Sequence, residues 1–176
     1  MLSLALFLGV MTASLTWAQS NNCVVEAHAV MATDAVHADS AARVAILAQV
    51  APGFHINDHK PSLDYLIPTK FEADAGDQFK IQNIVYPKGN LKKFPFSDVP
   101  LSVYEGSVVV GIVLQVGRNV PAGTYVLKGK FAYQACNDHA CLAPTKVPVS
   151  LNIIVVSQHV SLKPVNNNVF QRIKFE

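Results

Sequence analysis

Cys136 and Cys141, with four residues between them and His139 inside that interval, form the densest group of reactive side chains in the sequence. A thiol pair can pass electrons to another protein through a mixed disulfide, and an imidazole nearby favours the attacking thiolate. The same residues are soft and borderline metal ligands, and His55 or His59 could complete a zinc or copper site with Cys136, His139 and Cys141. A third use is a plain staple. In the loop-entropy treatment, a disulfide closing a ring of about six residues constrains the unfolded chain by only about 2 kcal/mol. The spacing is not C-x-x-C, so neither a thioredoxin-type motif nor the usual zinc pair is indicated. Spacing alone leaves exchange, stapling and metal binding open.

The compartment bears on that choice. Residues 1–18 carry no charge, and an apolar run from Leu2 to about Leu15 is followed by Thr16-Trp17-Ala18. This pattern reads as a secretory signal cleaved after Ala18. The run is short for a membrane span, and no later apolar stretch approaches the required length. Ser20-Asn21-Asn22 lacks the apolar residue that a lipoprotein signal places before its cysteine, so Cys23 is read as a bystander with no assigned role. A soluble periplasmic or secreted product is expected, in a compartment where disulfides persist. The 14 Lys+Arg nearly balance the 12 Asp+Glu, with no basic run longer than Lys92-Lys93, which leaves no electrostatic footprint for nucleic acid.

What positions the cysteines is a series of short β-like runs. Residues 24–31, 41–50, 63–71, 78–86, 107–116, 124–134 and 147–156 are rich in β-branched and apolar residues. Pro52-Gly53, Pro87-Lys88-Gly89, Glu105-Gly106 and Pro121-Ala122-Gly123 punctuate them. In 124–134, Tyr125, Leu127, Phe131 and Tyr133 share one face while Lys128, Lys130 and Gln134 share the other. Extending that alternation puts Cys136 on the polar face, where a partner's thiolate could reach it. No window shows a sustained helical period. The expectation is an all-β fold, an immunoglobulin-like two-sheet β-sandwich over 23–157. The remaining stretch, 158–176, is expected to be a tail that adds an edge strand or stays loose.

The string Tyr133-Gln134-Ala135-Cys136, followed by Cys141 and Pro144, resembles the active-site segment of a known family. That family is the N-terminal periplasmic domain of the thiol:disulfide interchange protein DsbD, also called disulfide bond corrector. Pro52-Gly53-Phe54-His55-Ile56-Asn57, Pro61 and Tyr65-Leu66-Ile67-Pro68-Thr69 are similar to a second family stretch, and Tyr86-Pro87 and Val103-Tyr104-Glu105-Gly106 follow at familiar intervals. The resemblance implies a sandwich whose redox pair is Cys136 and Cys141, with Cys141 forming the mixed disulfide. It implies a protein-disulfide reductase type of activity that needs no cofactor and no metal. Thioredoxin-like periplasmic proteins and a membrane thiol reductant would be the partners, without stable insertion into the membrane. In the family an aromatic loop caps the disulfide, so Phe94 or Phe96 is the cap candidate here. His55, Asn57, Tyr133 and His139 are the residues expected to shape the site. Two departures stand out: four residues rather than five separate the cysteines, and the family's transmembrane and thioredoxin-like modules are missing. Electrons would then come from separate proteins. The reading of a different class is a noncatalytic immunoglobulin-like binding module with a structural disulfide.

Overall fold

Period-two alternation governs the long strands of the computed structural model, which describes residues 23–175. The expected signal segment, 1–18, lies outside the described residues. In chain order the strands are β1 (Val25–Met31), β2 (Val36–His37), β3 (Ala41–Val50), β4 (His55–Asn57), β5 (Lys70–Asp74) and β6 (Phe79–Val85). They continue with β7 (Asn90–Lys92), β8 (Leu101–Tyr104), β9 (Ser107–Val116), β10 (Gly123–Tyr133), β11 (Ala135–Cys136) and β12 (Thr145–Val156). A single helical turn, α1 (Asn167–Phe170), comes last.

Two four-stranded sheets, ordered β1-β3-β9-β6 and β2-β12-β10-β5, form the sandwich. Val44, Ile46, Ile112 and Leu114 of the first join Leu127, Phe131, Ile153 and Val155 of the second in one buried core. Alternate residues along each strand turn inward, so a pair of half-apolar sheets can exclude water only by stacking face to face. The all-β, immunoglobulin-like sandwich expected from the sequence is therefore the fold. A third small sheet, ordered β11-β4-β8-β7, is added to it.

That third sheet was illegible in the sequence because its strands are two to four residues long, too short to show a period. Its faces nevertheless obey one. Ala135, Ile56 and Tyr104 face the main core. Val103 and Leu101 turn the other way, into a second core made with Phe94, Leu63 and Leu66. The strand expected at 63–71 is shifted as a result: β5 begins at Lys70, and Leu63 and Leu66 sit in a turn-rich loop. Pro61 and Pro68 bracket that loop and lack the N–H groups a ladder would need.

The tail neither extends an edge as a strand nor hangs free. A single bridge joins Thr33 to Pro164, and Val165 N–H donates to Ala32 O at 2.8 Å. Beyond α1, Ile173 and Phe175 lie over the outer face of the first sheet at Gly111. A Cβ there would come within 2.5 Å of Ile173 Cγ2 and 2.7 Å of the Phe175 ring. The Arg43 guanidinium lies 5.1 Å above the Phe175 ring, within cation–π range. Among the described residues, no helix is long and apolar enough to cross a membrane.

Candidate redox site

The cysteines close a miniature hairpin. Leu142 N–H donates to Ala135 O at 2.8 Å and Asn137 N–H to Ala140 O at 3.0 Å. Cys136 and Cys141 face each other between these two bonds as an antiparallel bridge, which makes them a non-hydrogen-bonded cross-strand pair. That is the closer of the two kinds of opposed pair, and the sulfurs are joined in a disulfide with Cα atoms 3.9 Å apart. Asn137 holds the turn: its Oδ1 accepts from the N–H groups of His139 and Ala140, both at 2.9 Å. Gln134 Nε2 ties the far leg by donating to Leu142 O at 3.1 Å. Four intervening residues are the number this turn requires.

The two sulfurs sit in different surroundings. Cys141 is exposed, whereas Cys136 is only 2% exposed. This corrects the expectation that Cys136 would be reachable. The alternation itself holds, since Cys136 points away from the face shared by Tyr133 and Ala135. That second face is covered, however, because β11 leaves the sheet of β10 and pairs with β4. There Cys136 lies opposite His55, whose ring is stacked on Phe94 of the second core.

His55 is 3% exposed and its ring stacks on Phe94, with centroids 4.3 Å apart. Phe96 stacks in turn on Phe94 at 5.2 Å but stands in solvent, 52% exposed. Of the two cap candidates, Phe94 is thus the buried one, resting on the residue opposite Cys136, and Phe96 is the outer one. Burial pushes the His55 imidazole below its ordinary range; Glu105 opposes the shift, Lys92 adds to it, and Asp138 again opposes it. No hydrogen bond to either ring nitrogen occurs among the described residues. Lys92 and Glu105 pair at 2.6 Å above this layer, and the Lys92 ammonium lies 5.4 Å from the Phe94 ring.

Asn57 is buried and structural in its contacts. Its Nδ2 donates to Ile67 O at 2.9 Å, and its own carbonyl accepts from Thr69 Oγ1 at 2.6 Å. Tyr133 is buried in the main core; burial raises its phenol above the usual range, with the neighbouring Cys23 thiol next in effect. His139 is exposed at the hairpin tip. His59 faces elsewhere, stacked on Tyr86 at 3.7 Å. The metal alternative therefore finds no assembled site: among the described residues, no three His, Cys, Asp or Glu side chains converge.

Sequence reasoning missed a carboxylate network that ties the end of β4 to β8 and to the chain before β7. Asp58 Oδ2 accepts from Gly89 N–H at 3.2 Å and from Ser102 Oγ at 2.6 Å, and Oδ1 accepts from Tyr104 and from Lys60 N–H. Burial pushes the Asp58 carboxyl up, but these hydrogen bonds outweigh it and the net shift is downward. Gly89 is required there, since a Cβ would fall 2.5 Å from both Asp58 Oδ2 and Ser102 Oγ. The sequence holds no signal for this beyond an Asp one residue after β4.

A disulfide in a short hairpin, joining a buried cysteine to an exposed one, can be compared with known proteins. Residues 21–152 match the family described as thiol:disulfide interchange protein DsbD, N-terminal. The chain belongs to the DsbD N-terminal domain family. No curated protein matches it. Among solved structures, the N-terminal periplasmic domain of ScsB from Proteus mirabilis shares the fold with a TM-score of 0.51 at 13% identity. That match covers 78% of this chain and 49% of the ScsB chain, so the present chain spans about half of its length. The DsbD N-terminal domain of Neisseria meningitidis in the reduced form is 18% identical with a TM-score of 0.40, over 77% of this chain and 90% of that one. The same Neisseria domain in complex with the PilB N-terminal domain is 17% identical with a TM-score of 0.40, covering 69% and 80%. This DsbD-family domain places its disulfide at the junction of the sandwich and the small third sheet.

Proposed function

We propose that this domain relays electrons between redox partner proteins by thiol–disulfide exchange at Cys136–Cys141. A partner thiolate attacks the Cys141 sulfur, the Cys136–Cys141 bond breaks, and the electron pair leaves on Cys136. The same partner's second thiolate then attacks its own sulfur in the mixed disulfide and releases Cys141, so that the partner leaves as a disulfide. The reduced pair can pass the two electrons to an acceptor disulfide by the reverse sequence. The sulfurs carry the electrons, so no cofactor is required. One observation carries the reading: in a DsbD-family domain, the disulfide joins an exposed cysteine, Cys141, open to attack, to a buried one, Cys136, as leaving group. In-line attack needs access to only one sulfur. Exposed apolar side chains beside the site, Leu142 next to Cys141 and Phe96 on the cap, fit docking by another protein. Thioredoxin-like periplasmic proteins as acceptors and a membrane thiol reductant as donor belong to this proposal. So do removal of residues 1–18 on export to the periplasm and the division into domain (23–157) and tail (158–176).

Equilibration with glutathione tests it. An exchange centre titrates well above about −300 mV, whereas a structural disulfide lies below that value and resists the pool. Cys136→Ser, which leaves Cys141 free, should trap a mixed disulfide with a thioredoxin-like protein. Resistance to glutathione together with no adduct would leave a binding module with a staple.

A further inference from the structure

His55 is a buried titratable group beside the disulfide that the exchange reaction has not used. In the β11–β4 pairing it lies directly opposite Cys136. Directly opposed residues project to the same side of a sheet with Cβ atoms about 5 Å apart. One face of the imidazole is covered by Phe94, stacked at 4.3 Å, and the residue is 3% exposed. Its ring nitrogens have no hydrogen-bond partner among the described residues. Reduction of the disulfide places a thiol at Cys136, directly opposite this ring and able to hydrogen-bond with it.

We propose that His55 is the proton-transfer partner of Cys136, forming a thiol–imidazole pair whenever the disulfide is opened. This deepens the exchange reading and rests on it. In the reducing direction, a partner thiolate bonds to the Cys141 sulfur and Cys136 leaves as thiolate. The His55 N–H donates a hydrogen bond to that developing charge, and the thiolate then takes a proton from solvent through the ring. In the reverse direction, the His55 ring nitrogen accepts the Cys136 thiol proton. The resulting thiolate attacks Cys141 in the mixed disulfide, the partner departs as thiolate, and the imidazolium returns the proton to solvent. Charge and electrons balance in both directions without an added redox agent.

Other charges surround the ring. Glu105 follows β8, the strand on the other side of β4, while Lys92 comes from β7 and Asp138 from the hairpin. Lys92 and Glu105 are paired with each other at 2.6 Å, and both still act on the ring, ahead of Asp138. Burial lowers the imidazole's proton affinity and so favours its neutral form, the form that can accept a proton.

The test uses small reagents only, so it is independent of any partner. In Cys23→Ser/Cys141→Ser protein, Cys136 is the sole thiol, and the pH dependence of its alkylation gives its pKa. Adding His55→Phe keeps an aromatic ring against Phe94 but removes proton transfer, and should raise that pKa by about one unit or more. His55→Gln restores a hydrogen-bond donor without titrating and should recover part of the shift. An unchanged or lowered Cys136 pKa in both variants would overturn the pairing. A second readout needs no substitution at His55: its ring titration, followed by NMR, should differ between reduced protein and Cys136→Ser. Coincident curves would equally overturn it. If the relay reading failed instead, glutathione equilibration and partner trapping would fail while the Cys136–His55 coupling remained measurable.

Discussion

Removing one sulfur at a time reads the asymmetry of the pair directly. In a Cys23→Ser background, Cys136→Ser leaves Cys141 as the only thiol, and Cys141→Ser leaves Cys136. Cys141 sits exposed on the hairpin, so a small alkylating reagent meets it without any opening. Cys136, 2% exposed, reacts only after the hairpin lifts from β4. Lifting uncovers the Cys136 and Ala135 side chains, about 1 kcal/mol for the pair of small apolar groups. It also opens the two-residue β11–β4 pairing, whose hydrogen bonds contribute about 1 kcal/mol each. The sum, about 3 kcal/mol, corresponds to protection of roughly 100-fold. The assay is iodoacetamide alkylation followed by mass spectrometry across pH, each rate being divided by the thiolate fraction. Cys136 should then react about two orders of magnitude more slowly than Cys141, and denaturant should make the two rates converge. Native rates within threefold of each other would refute the argument that the pairing with β4 shields Cys136.

Three further outcomes follow from the same contacts. Phe94→Ala empties the second core between His55, Leu101 and Val103; urea denaturation should show a loss of about 3 kcal/mol, and dithiothreitol should reduce the disulfide faster. Asn137→Ala removes the acceptor for two N–H groups of the turn. That should cost about 1 kcal/mol, mainly in the reduced protein, where the disulfide no longer holds the turn, and glutathione titration should read a potential about 20 mV more negative. The Asp58 pKa is lower in the folded protein than the ordinary 3.8, so its contribution is complete above that value and is lost as pH falls through the lower, folded one. Thermal midpoints of the parent should therefore drop more steeply below about pH 4 than those of Asp58→Asn.

The periodic signal carried the long strands. Residues 41–50, 107–116 and 124–134 coincide with β3, β9 and β10 to within a residue or so, because ten or more residues of alternation, or in 107–116 of nearly continuous apolar sequence, outweigh local irregularity. It failed on 63–71, where Leu63 and Leu66 looked like strand residues but serve a loop core. It had no grip on β4, β7, β8 and β11, which are held by neighbours rather than by their own pattern.

At the site, the sequence by itself determined the chemistry available. Two cysteines with four residues between them can oppose each other across a tight turn, and alternation correctly turned Cys136 away from Tyr133. Alternation reports which side a residue faces, however, and not what covers that side. Only the tertiary structure decided that β11 would change sheets, that β4 would bring His55 opposite Cys136 from some eighty positions earlier in the chain, and that Phe94 would stack on His55. Those contacts join segments far apart in sequence, and their energy depends on burial, which no local window contains. The sequence therefore named the sulfurs, and the packing distinguished the one that is open to attack from the one that is shielded.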